Sequence, residues 1–249
     1  MSFAISTFPN LAAASIAALD AIEAVTIAAV AEKGFFTLVL AGGATPRLLY
    51  QYLAAPPCLS RSINWPEGHF FWGDERCVAP DRPESNYGQA KELLLDKINP
   101  MPGRVHRMLV ECAPPAMVAQ AYEEELRAFF APHPKLLAGD FPCFDLIILG
   151  MGADGHTASL FPGSPALEEK KQWVTAVSAP AGKPAVPRIT LTLPVLNHAR
   201  TVIFLTAGPA KGNILDEIAA DPEKAANRYP AARVTPERLH WLHAEKQEG

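Results

Sequence analysis

The chain has 249 residues, 49% of them hydrophobic, so it can bury a substantial core, and we expect one catalytic α/β domain over residues 1–249. The formal net charge of −4 argues against nucleic acid or an anionic membrane as the main partner, because both require a basic face. A small anionic ligand needs only a few local cations and stays compatible with this charge.

The cysteines predict a reducing compartment. They are widely spaced and form no CxxC pair, which favours reduced thiols over a disulfide framework or a zinc site. We therefore expect no bound metal. The four residues are Cys58, Cys77, Cys112 and Cys143.

The N-terminal segment predicts neither a secretory signal nor a membrane span. Its first ten residues lack a basic stretch followed by an apolar core. Residues 11–31 are rich in alanine but carry Asp20 and Glu23, so we expect a buried amphipathic helix there. Together with the cysteines, this predicts a cytoplasmic protein.

Strand-like and helix-like segments alternate along the chain. This alternation predicts a mostly parallel, Rossmann-like α/β sheet with helices on both faces and room for a small extra lobe. Apolar, β-branched runs predict strands at 35–41, 69–73, 144–149, 173–177, 189–193 and 201–207, and periodic patterns predict helices at 10–32, 46–54, 87–97, 115–130 and 209–220. The tail RLHWLHAEK predicts a last edge strand, with His240 and His243 on the surface.

The first strand is followed by AGGATP, at the sheet edge where open α/β folds bind ligands. Gly42 and Gly43 allow a sharp turn, Thr45 is a suitable helix N-cap, and Pro46 suits the first helical position. Free N–H groups at such a helix start favour an anion, and we prefer a phosphate site to an ordinary connection. The GxxxxGK[ST] pattern of ATP-binding loops is absent.

The second strand is followed by GDERCV, which places three charged residues at a strand end. A surface salt-bridge cluster is the default interpretation of Asp74, Glu75 and Arg76. Arg76 gains interest because a guanidinium binds phosphate with two hydrogen bonds, and the glycine turn should lie nearby. Ser85 and Asn86 are suitable caps for the helix that follows.

Residues 150–156, GMGADGH, match GxGxxG after the third strand. A dinucleotide site is disfavoured, because Pro162 limits any following helix and the next strand ends without a carboxylate. The glycines instead surround Asp154 and His156. A carboxylate can hold an imidazole in one tautomer and raise its basicity, which predicts a general base. No nearby serine lies in a GxSxG elbow, so covalent catalysis is not indicated.

Two further cationic residues lie at positions where a bound anion would stabilise their charge. Arg188 opens a strand after a proline-rich loop, and Lys211 lies in the first turn of a helix. A lysine at a helix N-terminus opposes the helix dipole, so an incoming anion would justify its position.

Four motifs, in order and spacing, resemble the 6-phosphogluconolactonase family: AGGATP, GDERCV…SNY, GMGADGHTASLFPGS and RITLTLPVLNHA…AGPAK. The resemblance spans roughly residues 40–211. It implies hydrolysis of 6-phospho-D-glucono-1,5-lactone without cofactor or metal, on a fold like that of ribose-5-phosphate isomerase and glucosamine-6-phosphate deaminase. It implies His156 as the catalytic base with Asp154 beside it, and substrate binding by Gly42, Gly43, Thr45, Arg76, Arg188 and Lys211.

The sequence departs from the family pattern at Ala44, where GGSTP-type loops carry serine. Backbone donors remain, so the phosphate site is only slightly weakened. The related deaminases carry a glutamate where this chain has Phe161, which disfavours amino-sugar chemistry. A non-catalytic sugar-phosphate sensor is a third hypothesis, although it would not require the Asp154–His156 pair. We expect a monomer with a sugar-phosphate substrate, and the role of Asp74 stays open.

Overall fold

The computed structural model describes residues 3–56, 62–178 and 185–246. The strands within these residues are β1 (Phe3–Asn10), β2 (Phe36–Leu40), β3 (Gly68–Trp72), β4 (Asp74–Arg76), β5 (Leu137–Ala138), β6 (Phe141–Pro142), β7 (Leu146–Leu149), β8 (Val174–Val177), β9 (Arg188–Leu191), β10 (Thr201–Ala207) and β11 (Arg238–Lys246). The helices are α1 (Leu11–Lys33), α2 (Thr45–Leu53), α3 (Asn86–Ala90), α4 (Asp96–Ile98), α5 (Pro115–Phe130), α6 (Leu193–Asn197), α7 (Pro209–Ala220) and α8 (Pro222–Ala226). A π-helical turn (Lys91–Leu95) joins α3 to α4, and short 3₁₀ turns lie at Trp65–Glu67, Pro134–Leu136, Pro165–Glu168 and Pro230–Arg233.

A six-stranded parallel sheet forms the centre of the molecule, in the order β1–β11–β10–β7–β2–β3. Every residue of β2, β7 and β10 is buried. Continuous apolar runs of this kind are typical of strands covered on both faces by helices. The predicted mostly parallel α/β fold is confirmed.

The direction of the chain across the sheet reverses between β2 and β7. From β1 the chain moves through β2 to the edge strand β3, whereas from β7 it moves the other way to β10 and β11. Right-handed crossovers then place α1 and α2 on one face and α5 and α7 on the other. Ligands of open α/β sheets bind at such a reversal, beyond the carboxyl ends of the strands, so the crevice between β2 and β7 is the expected site.

A small antiparallel sheet, β4–β9–β8, continues from the carboxyl end of β3. Gly73 joins the two sheets: its N–H donates to the Leu40 carbonyl at 3.1 Å, and its own carbonyl accepts from the Leu191 N–H at 2.8 Å. This sheet corresponds to the small extra lobe that the sequence analysis allowed for. It brings β9 to the edge where the parallel strands end.

The last strand is not at an edge, contrary to the sequence prediction. The unpredicted strand β1 pairs with β11 on one side and β10 pairs with it on the other. His243, expected on the surface, is therefore only 6% exposed, and its Nδ1 lies 3.0 Å from the Thr206 hydroxyl. A terminal segment with alternating polarity can be flanked on both sides when another strand reaches it from far away in the sequence.

Helix α1 is not amphipathic in the expected sense. Its buried face is mostly small residues, while Ile16 and Ile27 on the other side are 49% and 43% exposed. In an alanine-rich helix, side-chain size distinguishes the faces more than polarity does. By length and composition alone α1 could cross a membrane, with a mean hydropathy of 1.8 despite Asp20 and Glu23, but here it packs against α2 and the central sheet.

The thiols and acidic groups form no metal centre within the described residues. Cys77, Cys112 and Cys143 are free thiols, and Cys58 lies outside the residues that the structure describes.

Candidate active site

One crevice lies beyond the carboxyl ends of β2, β7, β3 and β10, where the sheet direction reverses. It brings together residues that are up to 170 positions apart in the sequence, from Ala41 to Lys211. Seven of the eight predicted site residues line it, and Asp154 lies directly behind one of them. The seven are Gly42, Gly43, Thr45, Arg76, His156, Arg188 and Lys211.

His156 is held by Asp154 in the loop after β7. The imidazole Nδ1 lies 2.5 Å from Asp154 Oδ1, and the His156 backbone N–H donates to the same oxygen at 3.1 Å. An ionised carboxylate only accepts hydrogen bonds, so the ring proton belongs on Nδ1 and Nε2 keeps its lone pair. The side chain is 29% exposed, which lets solvent reach this basic nitrogen.

The carboxylate of Asp154 is suited to accepting the hydrogen bond from the His156 ring. Burial raises its pKa, but the His156 backbone N–H and imidazole outweigh that effect, so the pKa lies below its ordinary value. Asp154 is therefore ionised at neutral pH. Its carboxylate holds the ring tautomer that carries the proton on Nδ1.

The glycines of GMGADG leave space for the His156 ring and do not form a nucleotide-binding turn. A Cβ on Gly152 would lie 2.2 Å from the His156 ring, and the Gly152 N–H donates to the His156 carbonyl at 2.9 Å. Gly155 has φ +78°, and a Cβ there would collide with Tyr229. No helix follows this loop directly, and β8 belongs to the other sheet, so the geometry disfavours a dinucleotide site as the sequence did.

The turn after β2 exposes backbone donors to the crevice. Gly43 has φ +96°, which favours glycine, and the N–H groups of Gly42, Gly43 and Ala44 donate to no acceptor within the described part of the chain. Thr45 is not the N-cap, contrary to prediction: Ala44 occupies that position without a side-chain cap, and Thr45 is the first residue of α2. The uncapped helix start leaves its N–H groups available to an anion.

Arg76 and Arg188 face each other across the β4–β9 pair. Like charges directly opposite in an antiparallel pair are destabilising, and Arg188 is only 6% exposed. Burial, together with the charge of Arg76, holds the pKa of Arg188 below its usual range, although Asp74 and Glu75 counteract this. An anion between the two guanidiniums would offset their repulsion.

Lys211 completes the cationic side of the crevice from the first turn of α7. Burial lowers the pKa of its ammonium group. In the described residues it has no carboxylate within ion-pair distance. A partly buried, unpaired ammonium at a helix N-terminus is stabilised when an anion binds.

Comparison with known proteins agrees with this geometry. Residues 9–242 match the family model described as glucosamine-6-phosphate isomerases/6-phosphogluconolactonase. The chain belongs to this family.

Relatives of the family cover nearly the whole chain. A protein of Synechocystis sp. named 6-phosphogluconolactonase is 44% identical over 215 residues, covering 86% of this chain and 84% of its own length. One of Nostoc sp. with the same name is 37% identical over 243 residues, covering 97% and 95%. The crystal structure of 6-phosphogluconolactonase from Thermotoga maritima superposes with a TM-score of 0.81 at 31% identity, covering 98% of this chain and all of that one.

The family fold buries the charged residues that the sequence analysis assigned to a surface cluster. Asp74 is 7% exposed, lines the crevice, and accepts hydrogen bonds from Ser159 Oγ at 2.6 Å and Asn86 Nδ2 at 3.0 Å. Glu75 is 1% exposed, and burial raises its pKa to about 7. The surface interpretation was wrong because β4 pairs with β9 and α3 covers it. Ser85 caps α3 as predicted, through a bond from the Gly88 N–H.

Proposed function

We propose that this protein hydrolyses 6-phospho-D-glucono-1,5-lactone to 6-phospho-D-gluconate in the oxidative pentose phosphate pathway. The observation that carries the proposal is that His156, hydrogen-bonded to Asp154, lines the same crevice as Arg76, Arg188 and Lys211. The names of the family relatives support the same reaction. A hydrolytic base and a phosphate-binding surface are the two elements that this substrate requires.

In this proposal His156 acts as the general base. Its Nε2 removes a proton from water as the water attacks C1 of the lactone, a role worth about 10²–10⁴-fold in rate. The carbonyl oxygen becomes an oxyanion, which backbone N–H groups of a glycine turn or a nearby cation stabilise. The imidazolium then returns the proton to the ring oxygen as the C1–O bond breaks, and Asp154 stabilises its charge. A lactone is an activated ester, so the mechanism needs no acyl-enzyme, cofactor or metal.

The phosphate end of the substrate supplies orientation. Arg76, Arg188 and Lys211 bind the dianion together with the donors of Gly42, Gly43 and Thr45. Because the phosphate does not react, its binding energy holds the ring in place for attack. This use of remote binding energy makes the phosphorylated lactone the preferred substrate.

Amino-sugar deamination, the other chemistry in the family description, is disfavoured. The centre of the Phe161 ring lies 4.5 Å from that of the His156 ring, and the Arg188 guanidinium lies 5.5 Å from the centre of the Phe161 ring. A hydrocarbon ring cannot carry the proton that a carboxylate would carry there. A non-catalytic sensor would have no use for the Asp154–His156 bond.

The proposal extends to the molecule as a whole. We propose that residues 1–249 act as one catalytic domain, as a cytoplasmic monomer without nucleic-acid or membrane partners. The net charge of −4 supports the absence of nucleic-acid and membrane partners, because both require a basic face.

Two assays on the same sample test the reaction. Freshly prepared phospholactone, corrected for spontaneous hydrolysis, should be consumed with release of one proton per turnover. Glucosamine 6-phosphate should release no ammonia. A protein that binds 6-phosphogluconate but does not accelerate hydrolysis would be a sensor, and ammonia release would favour the deaminase.

A further inference from the structure

Helix α3 packs behind the glycine turn, although within the described chain none of its residues lines the crevice. Gln89, on this helix, is 8% exposed, and its Nε2 donates to the Gly43 carbonyl at 2.9 Å. Asn86, one turn earlier, lies against Gly42, where an added Cβ would fall 1.6 Å from Asn86 Oδ1. The helix therefore contacts the two glycines that shape the turn.

The bond from Gln89 determines which way the Gly43–Ala44 peptide faces. In a planar trans peptide the carbonyl and the following N–H point in opposite directions. Because Gln89 draws the Gly43 carbonyl toward α3, the Ala44 N–H points away from α3, and Ala44 lines the crevice. A glycine at φ +96° has no Cβ to oppose rotation of this peptide. The opposite orientation would direct a carbonyl oxygen at the anion.

We infer that Gln89 is a positioning residue for phosphate binding: it holds the Gly43–Ala44 peptide with its donor toward the substrate. The inference rests on the proposed function, since the anion it serves is the substrate's phosphate. Gln89 acts through the backbone and does not touch the reacting atoms, so it affects affinity for phosphate more than the chemical step.

Helix α3 is itself held in place by hydrogen bonds to the buried Glu75. Glu75 accepts hydrogen bonds from the N–H groups of Asn86 at 2.8 Å and Tyr87 at 2.7 Å. The same glutamate accepts from the Arg76 N–H at 2.7 Å. One buried carboxylate thus links the strand that carries Arg76 to the helix that carries Gln89. The guanidinium and the backbone donors are held in a common frame.

The test compares phosphorylated and unphosphorylated lactone in Gln89→Met, which keeps the side-chain length but removes the donor. We expect the ratio of kcat/KM for 6-phosphogluconolactone to that for glucono-1,5-lactone to fall about fivefold, the loss expected for one hydrogen bond. The change should appear in KM, with kcat on the unphosphorylated lactone retained. The Kd of inorganic phosphate, measured by calorimetry, should rise by a similar factor.

Gln120→Met, the same chemical change on the exposed face of α5, is the matched control and should alter neither ratio nor Kd. Gln89→Glu, which keeps the shape but replaces the donor by an acceptor, should weaken phosphate binding further and serves if Gln89→Met is poorly folded. An unchanged ratio and phosphate Kd in a folded Gln89 variant would overturn the inference. If the wild type hydrolyses neither lactone, the proposed function fails, while the phosphate Kd still decides the role of Gln89.

Discussion

The two ends of the parallel sheet differ in how their charged side chains are paired. At the amino end, buried Asp145 accepts from Lys33 Nζ at 2.7 Å and from the Thr37 hydroxyl and N–H at 2.9 Å, and Arg200 lies between Asp145 and Glu32. Each cation there has a carboxylate. At the carboxyl end, Arg76 and Lys211 form no ion pair within the described residues. Charge that is balanced internally stabilises the fold, and charge left unbalanced at a crevice is available to a ligand.

The histidines show the same contrast. His69 uses both ring nitrogens, with Nε2 2.7 Å from an Arg104 nitrogen and Nδ1 3.0 Å from His106 Nε2. Because Arg104 only donates, the His69 proton is on Nδ1. Burial, and then the charge of Arg104, lowers the pKa of His69 to about 3, so this ring stays neutral. His106 donates its own Nδ1–H to Glu125 Oε1 at 2.9 Å. His156, in contrast, uses only Nδ1 within the described contacts, which leaves Nε2 for chemistry.

The largest expected effect on activity comes from removing the His156 Nε2 nitrogen. His156→Ala should lower kcat by about 10²–10⁴-fold, the usual contribution of a general base, because no other base in the crevice has this position. The measurement is the corrected hydrolysis rate, together with the Kd of 6-phosphogluconate, which should change little.

His106→Ala is the comparison variant from the amino end. It should lower stability to urea while its folded fraction keeps the wild-type kcat. Activity of His156→Ala within a few-fold of wild type would remove His156 from the mechanism.

Removing the buried Asp145 carboxylate at the amino end of the sheet should reduce stability and leave catalysis unchanged. Asp145→Ala removes the buried partner of the half-buried Lys33 and is expected to reduce the free energy of unfolding by about 3 kcal/mol. Urea denaturation measures this loss. Glu32→Ala, which removes the exposed carboxylate of the same cluster, should cost much less. A change in KM of the folded Asp145 variant would show that the two ends are coupled.

At the carboxyl end, removing one cation should mainly reduce discrimination for phosphate. Arg188→Ala is expected to lower kcat/KM for the phospholactone by about 10–100-fold relative to glucono-1,5-lactone, the range of a charge-assisted hydrogen bond. It also removes the repulsion with Arg76, so the variant should fold. Arg82→Ala, whose side chain is 63% exposed, is the control and should leave the ratio unchanged. If Arg188→Ala discriminated between the lactones as well as the wild type, the phosphate would bind elsewhere.

The smallest effect concerns Glu75, whose pKa burial raises to about 7 from an ordinary value of 4.5. Between these values the folded protein holds a proton that the unfolded chain has lost, so stability falls as pH rises through this window. Glu75→Gln does not titrate, so its unfolding free energy should rise relative to wild type between pH 4.5 and 7, on the order of 2 kcal/mol. Urea denaturation across this range measures the difference. A difference that stays constant with pH would show that folding does not raise the pKa of Glu75.

Local pattern was sufficient for much of the fold and for the catalytic pair. The strand at 201–207 and the helices at 115–130 and 209–220 have the predicted bounds, because hydrophobic period and caps act over a few residues. Asp154 and His156 are two positions apart, and their contact needs only the turn that the surrounding glycines allow.

Other features were decided by contacts between distant segments. The pairing of Arg76 with Arg188 joins residues 112 positions apart, and the burial of Asp74 and Glu75 follows from β9 and α3 covering them. The position of β11 inside the sheet depends on β1, and the role of Gln89 depends on a turn 46 residues earlier. The sequence alone determined most of the extended and helical segments, although not β1 or β4, and it determined which strand ends carry chemistry. Only the tertiary structure decided which of these ends meet, because strand pairing is selected by the packing of the whole core and not by any local run of residues.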